Sequence, residues 1–251
     1  MERFLADIVA AGALLSRLPL PGELLDRAGH GSESVWAYPV VGVFVGAAAA
    51  AVGLAAGWLG LPPGLQAALL LAVLTLLTGA MHEDGLADTA DGFWGGWDRV
   101  RRLEIMKDSR IGVYGVLALA LSLLIRWAAM SELLQADLSL WFVVGVAAMS
   151  RAPMAAMMAW MPAARPGGLS ESIGQPKSRF AWLALAAGGV IGLLTLGVAA
   201  FVAAFWIALA GLGLAHIAMS RIGGQTGDVL GACQQLAEIA ALMSLAAFVS
   251  S

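Results

Sequence analysis

Charge is what this chain has little of. Asp, Glu, Lys and Arg make up 12% of the 251 residues and hydrophobic residues 60%, so the charged share is roughly half that of an ordinary soluble domain. The stretch 182–220 carries no charged side chain at all. A water-soluble fold of this length could not hide so much apolar surface in one core, so lipid is the expected solvent for most of the chain. Basic residues are few and scattered. Fourteen Lys and Arg against seventeen Asp and Glu leave a net charge of −3, which provides no basic patch and excludes nucleic acid as a partner. Cysteine is nearly absent: Cys233 stands alone, so an internal disulfide and a Cys-rich metal site are both excluded, and its apolar neighbourhood makes it a packing residue. A cleavable leader is also not expected. Residues 1–20 are interrupted by Asp7 and Arg17, run into Pro19 and Pro21, and lack a small-residue cleavage pattern.

What is present is a series of apolar runs about twenty residues long, the length that crosses a bilayer as a helix. They predict spans near 36–59, 65–81, 112–134, 139–160, 180–199, 201–219 and 229–249. The expected fold is therefore all-α and polytopic. It has about seven transmembrane helices in one membrane-embedded domain, residues 1–251. Residues 4–18 are apolar but too short for a span, and read as an interfacial or re-entrant helix. With the N-terminus inside, every Lys and Arg outside the spans falls on the cytoplasmic side, while the turns at 60–64, 135–138 and near 200 have none. That sorting follows the positive-inside rule. It places the long polar segments on the cytoplasmic face, with residues 82–111 as a cytoplasmic loop.

The second span runs into His82-Glu-Asp-Gly-Leu-Ala-Asp-Thr-Ala-Asp-Gly92. On a helix Asp84, Asp88 and Asp91 are spaced i, i+4 and i+7, within an arc of about 60°. Like charges at that spacing repel, more strongly at a headgroup boundary where the dielectric falls. A cation is therefore expected among them. Mg²⁺ takes one or two carboxylates plus the oxygens of a phosphate substrate, and Gly85 and Gly92 leave room for a ligand. The three aspartates are the candidate metal ligands and, with Asp228, the candidate catalytic groups. Glu83 points roughly 100° away from Asp84 and suits the substrate or a second metal. His82 is a candidate ligand or base at the span end.

Further polar islands follow. Val100, Leu103 and Met106 recur at helical spacing between charges, which predicts a short amphipathic helix at the membrane surface. Lys107, Asp108 and Arg110, next to the third span, are candidate substrate-binding residues. Arg126 and Arg151 lie inside spans, where charge marks a polar interior or a site; either could pair with Glu238 or reach substrate. Gly223-Gly-Gln-Thr-Gly-Asp228 opens the last span. Thr226 or Asp228 could cap that helix, or the turn could present backbone N–H groups to a phosphate while Asp228 completes the metal or base set.

Arg17-Leu-Pro-Leu-Pro21, Tyr38-Pro-Val-Val-Gly42, the acidic stretch 82–92, Glu104-Ile-Met-Lys-Asp-Ser-Arg-Ile-Gly112 and Gly224-Gln-Thr-Gly-Asp228 together resemble the adenosylcobinamide-GDP ribazoletransferase (cobalamin synthase) family. They occur in order along nearly the whole chain. The family often has leucine at the position of Glu83, so the resemblance adds nothing for that residue. It implies a Mg²⁺-dependent last assembly step of the vitamin B12 coenzyme. In that step a ribose hydroxyl of α-ribazole, or of its 5′-phosphate, attacks the cobinamide-linked phosphorus of adenosylcobinamide-GDP, and GMP leaves. The implied partners are those small molecules and the lipid bilayer, with a homo-oligomer or an assembly of cobalamin-pathway enzymes also compatible.

Two other readings fit less well. A CDP-alcohol phosphatidyltransferase also clusters aspartates on membrane helices, but its Ala-Arg pair after Asp-Gly-x-x is missing after both Asp84-Gly85 and Asp91-Gly92. A membrane transporter wants its acidic groups near the bilayer midplane between broken helices, and here they sit at a span end.

Overall fold

The computed structural model describes residues 2–19 and 31–249; Pro21, used in the reading above, lies outside them. The described residues form helices and no sheet. In chain order these are α1 (Glu2–Leu15), a 3-10 turn (Ser32–Ala37), α2 (Tyr38–Trp58), α3 (Pro63–Thr78), α4 (Met81–Gly95) and α5 (Arg99–Ile105). They continue with α6 (Val113–Gln135), α7 (Trp141–Trp160), α8 (Leu169–Ile173), α9 (Ser178–Leu196), α10 (Ala199–Ile222) and α11 (Gly227–Val249). Six of these are long and apolar enough to cross a membrane: α2 with its 3-10 turn, α6, α7, α9, α10 and α11. The pair α3 and α4 makes a seventh only when taken together. The chain is a polytopic membrane protein of the expected class.

Helix α7 is the axis. Its apolar window is 94% buried, against 28% for α6 and 22% for α9, and α2, α9, α10 and α11 all pack on it. Lipid offers apolar side chains no less than a neighbouring helix does, so helices associate in membranes where small residues let backbones approach. Gly42 and Gly46 do this against α7: a Cβ on Gly42 would lie 2.3 Å from the Ala147 carbonyl oxygen. The outward side chains of the peripheral helices, including Leu194, Phe201, Phe205 and Leu212, are exposed, as a lipid-facing surface requires. Trp58 and Trp141 are exposed toward one end, Trp97 and Trp182 toward the other, the positions an aromatic belt takes at the two interfaces. An apolar groove of about 390 Å³ between α7, α9 and α10 has no carboxylate in its lining.

Among the described residues, the long polar connections emerge at one end. Arg17 N–H donates to the Leu77 carbonyl, Arg99 to the Ala164 carbonyl, Arg102 to the Arg221 carbonyl, and Ala164 N–H to the Gln225 carbonyl. These bonds tie residues 16–19, 79–112, 161–177 and 223–226 into one polar end, while the short turns 59–62, 136–140 and 197–198 close the other.

The connection 82–111 is mostly helix, as the spacing of its aspartates and of Val100, Leu103 and Met106 predicts, and α4 packs against α6 and α11. Two expectations change. The second span ends at Thr78, three residues early, because Gly79 (φ 65°) and Ala80 (φ 58°) are both left-handed. Ala80 N–H bonds the Thr75 carbonyl and Gly79 N–H the Leu76 carbonyl, which is the paired bonding that stops a helix after a glycine. The chain then turns by 87° into α4. In the surface helix α5, Leu103 and Met106 do pack inward, but Val100 is 68% exposed, because only seven residues are helical and the face is not completed. At the N-terminus, α1 is too short for a span, as expected. Its Asp7 accepts a hydrogen bond from Trp36 Nε1 at 2.9 Å, and the Phe4 ring meets Trp36 edge-on.

Candidate active site

Glycine puts the acidic helix where it is. A Cβ on Gly85 would fall 2.6 Å from the Asp228 carbonyl oxygen, and Gly231 faces Met81, His82 and Gly85 in return. Helices α4 and α11 therefore cross in backbone contact, which brings Asp84 and Asp88 to the N-terminal end of α11 and to Asp228. The three aspartates on the predicted face have different surroundings. Asp84 is exposed and Asp88 half-buried. Asp91 is buried, with Oδ2 accepting from Gly112 N–H at 2.7 Å and Oδ1 from Gly115 N–H at 2.9 Å. A carboxylate on the first N–H groups of a helix is favourable against its dipole, so Asp91 caps α6. The two glycines make room for it, since a Cβ on Gly115 would lie 2.4 Å from Asp91 Oδ2. Among the described residues no three His, Cys, Asp or Glu side chains converge as for a metal ion.

Asp228 meets a residue that the sequence reading did not single out. Arg165 Nη2 donates to Asp228 Oδ2 at 3.2 Å, and so does Thr226 Oγ1 at 3.2 Å. Thr226 Oγ1 also accepts from Val229 N–H at 3.3 Å, so the capping alternative for Thr226 is the one seen. Arg165 reaches this place because a two-bond bridge, Gln225 N–H to Pro162 and Ala164 N–H to Gln225, fastens its loop to the turn before α11. Ser170 Oγ donates to Gln225 Oε1 at 2.6 Å and holds the same turn. The like charges that act on Asp88 are those of Asp84, Asp228 and Asp91, and the opposing charge is that of Arg165. The end of α4 is therefore a concentration of negative charge with one guanidinium set into it.

Lys107 and Arg110 are exposed on the link between α5 and α6. Arg110 is committed locally: its Nε bonds both Asp108 oxygens, at 3.0 and 3.1 Å, and its Nη2 bonds Oδ2 at 2.6 Å. Hydrogen bonds from the Arg110 side chain and backbone hold the Asp108 carboxyl down at about 2.

Glu83 turns the other way, into the bundle. Arg126, 1% exposed, places Nη1 3.2 Å from Glu83 Oε1 and 3.2 Å from Glu238 Oε1. Gln235 donates to Glu83 at 3.2 Å, Gln234 to Glu238 at 2.6 Å, and Thr75 Oγ1 to Glu83 at 3.2 Å. Glu238 thus pairs with Arg126, one of its two expected partners. Arg151 instead donates to the Ala147 carbonyl of its own helix at 2.6 Å, with Glu238 and Glu83 as the nearby opposite charges. His82 is buried beside Arg151 and Arg126, and neither ring nitrogen has a partner. The adjacent amides Gln234 and Gln235 in an apolar span were the available sign of this network. Arg165 carried no such sign beyond being a lone cation after the end of α7.

The chain is similar to the family model described as cobalamin-5-phosphate synthase over residues 7–246. It is similar to the adenosylcobinamide-GDP ribazoletransferase of Bradyrhizobium diazoefficiens, with 45% identity over 249 residues covering 99% of this chain and 96% of the relative. The enzymes of the same name from Mesorhizobium japonicum and Azorhizobium caulinodans are 45% and 43% identical, covering 100% and 97% of this chain and 96% of each relative. No solved structure matches it significantly. With a family model covering both the acidic helix and the start of α11, this chain belongs to the cobalamin-5-phosphate synthase family.

Proposed function

We propose that this chain joins adenosylcobinamide-GDP to α-ribazole, or to α-ribazole 5′-phosphate, releasing GMP and giving adenosylcobalamin or its 5′-phosphate. The observation that carries the reading is 45% identity to ribazoletransferases over nearly the whole chain, in a chain that brings Asp84, Asp88 and Asp228 together at one polar end. In the displacement, a ribose hydroxyl oxygen forms the new bond to the cobinamide-linked phosphorus. The bond from that phosphorus to the bridging diphosphate oxygen breaks, and GMP leaves with the electron pair. The hydroxyl proton goes to a carboxylate. Asp228 is the preferred acceptor for it, because both bonds its side chain accepts go to Oδ2, whereas both Asp91 oxygens already take backbone N–H groups.

Asp84 and Asp88 are the residues to hold Mg²⁺. The charge concentration around Asp88 fits a hard cation that carries part of its coordination on the substrate's phosphates, as Mg²⁺ does. A magnesium ion there supplies charge neutralisation for the diphosphate and the departing GMP. Asp91 is assigned to capping α6 rather than to the metal. The polar end is assigned to the cytoplasmic side of the inner membrane on the distribution of Lys and Arg. The phosphatidyltransferase reading lacks its motif. The transporter reading is not favoured, because the relatives that match nearly the whole chain are ribazoletransferases.

The test is purified protein in lipid with adenosylcobinamide-GDP, α-ribazole and Mg²⁺, following GMP release. GMP should appear only with both substrates and metal. Silence beside an active ribazoletransferase control overturns the assignment, and substrate uptake into sealed vesicles without GMP points to transport.

A further inference from the structure

We propose that Arg165 binds phosphoryl oxygens of the substrate and that Asp228 holds it ready to do so. The inference rests on the reading above for the identity of the substrate, but its evidence is the arginine itself. Of the three guanidinium nitrogens, Nη2 bonds Asp228, while Nε and Nη1 are buried and have no partner. A buried donor without an acceptor is unfavourable, and a guanidinium keeps its charge at any working pH. Two of its nitrogens are thus charged, desolvated and without an acceptor, on a guanidinium whose third nitrogen is bonded to Asp228.

The setting explains why a cation belongs there. Asp84, Asp88 and Asp228 alone would repel a diphosphate, and Arg165 is the opposing charge that acts on both Asp88 and Asp228. The position is also held from outside the site. The bridge between Ala163 and Gln225 fixes the loop, and Ser170 fixes Gln225, so the side chain is organised before substrate arrives. Arg110, the arginine named from the sequence, is less suited: its side chain is 87% exposed and already paired with Asp108.

The chemistry recognised is a phosphate oxygen, and it could belong to the diphosphate of the donor or to the 5′-phosphate of the acceptor. Arg165→Gln and Arg165→Lys, in lipid, should be compared with wild type using α-ribazole and then α-ribazole 5′-phosphate. Arg165→Gln is expected to raise KM for adenosylcobinamide-GDP about tenfold or more with either acceptor, and Arg165→Lys to recover part of that loss. A KM defect confined to the phosphorylated acceptor supports phosphate binding with the acceptor as its source. KM and kcat within twofold of wild type for both acceptors overturn the proposal. Direct binding needs no turnover: about tenfold weaker binding of either GDP or α-ribazole 5′-phosphate to Arg165→Gln supports the proposal, and equal binding of both overturns it. That measurement still decides the role of Arg165 if wild type makes no GMP and the proposed reaction itself fails. If Arg165→Gln does not fold, the same readings are taken on Arg165→Lys.

Discussion

Glu83 and Asp84 are neighbours in sequence with opposite surroundings, and the two regions they enter work in opposite ways. Glu83 points into the bundle, where Arg126, Gln235 and Thr75 surround it and where Glu238 shares the same arginine. In that region the charges on Glu83 and Glu238 are met by protein. Asp84 points out to the polar end, where Asp88 and Asp228 add negative charge and Arg165 is the opposing cation. There the charge is left for a ligand to answer. The ion group in the bundle fastens α4 to α6 and α11, and the open group is what that fastening holds in place.

Breaking the bundle network should have the largest effect. Arg126→Met leaves Glu83 and Glu238 buried without their cation, and is expected to lower stability by about 3–5 kcal/mol, read as unfolding in detergent or lipid. Replacing Glu83, Arg126, Glu238 and Arg151 together by Met should restore most of it, since an apolar substitute for a buried ion group is often neutral and Arg151 would otherwise lose the opposite charges beside it. If the single variant is as stable as wild type, the network does not carry the fold.

The open group should behave in reverse. Asp84→Asn is expected to slow turnover by roughly 10²–10³, about 2.7–4 kcal/mol of barrier, with unfolding unchanged within ~0.5 kcal/mol because the residue is exposed. A large loss of stability without loss of turnover in the folded fraction would erase the distinction between the two regions.

Gly85→Ala tests the crossing that joins them. Its methyl would meet the Asp228 carbonyl oxygen at 2.6 Å, so α4 must shift, at a cost of about 1–3 kcal/mol. Both stability and turnover should fall, the latter through KM and kcat together. The smallest effect belongs to the hinge. Ala80 holds φ at 58°, which penalises a Cβ by about 1–2 kcal/mol. Ala80→Gly removes that penalty and adds back roughly 0.5–1 kcal/mol of chain entropy. Unfolding should show a net gain of between zero and about 1.5 kcal/mol, with turnover unchanged.

Several features of both regions were legible before any coordinates. The apolar runs set the spans to within a few residues, because a helix must cross a fixed thickness of hydrocarbon. The charge pattern brought the polar segments to one end, because charge is excluded from that hydrocarbon. The helical spacing of Asp84, Asp88 and Asp91 was readable as one face. The unequal surroundings of those three aspartates were not, since Asp91 is occupied by two N–H groups more than twenty residues further on, at Gly112 and Gly115. The choice of Arg126 over Arg151 for Glu238 was equally closed to periodicity. Both arginines lie in spans that pack on α11, and only the placement of their side chains in the folded bundle separates them.

The sequence by itself determined that this is a polytopic helical membrane protein with an acidic helix at a polar end, because composition and period act locally and one residue at a time. Only the tertiary structure decided which charges are closed and which are open. That decision depends on which backbones touch: α4 on α11 at Gly85, and the Pro162–Arg165 loop on the turn before Asp228. Such contacts join segments between about sixty and one hundred and forty residues apart, a separation over which the pattern of any single helix carries no information.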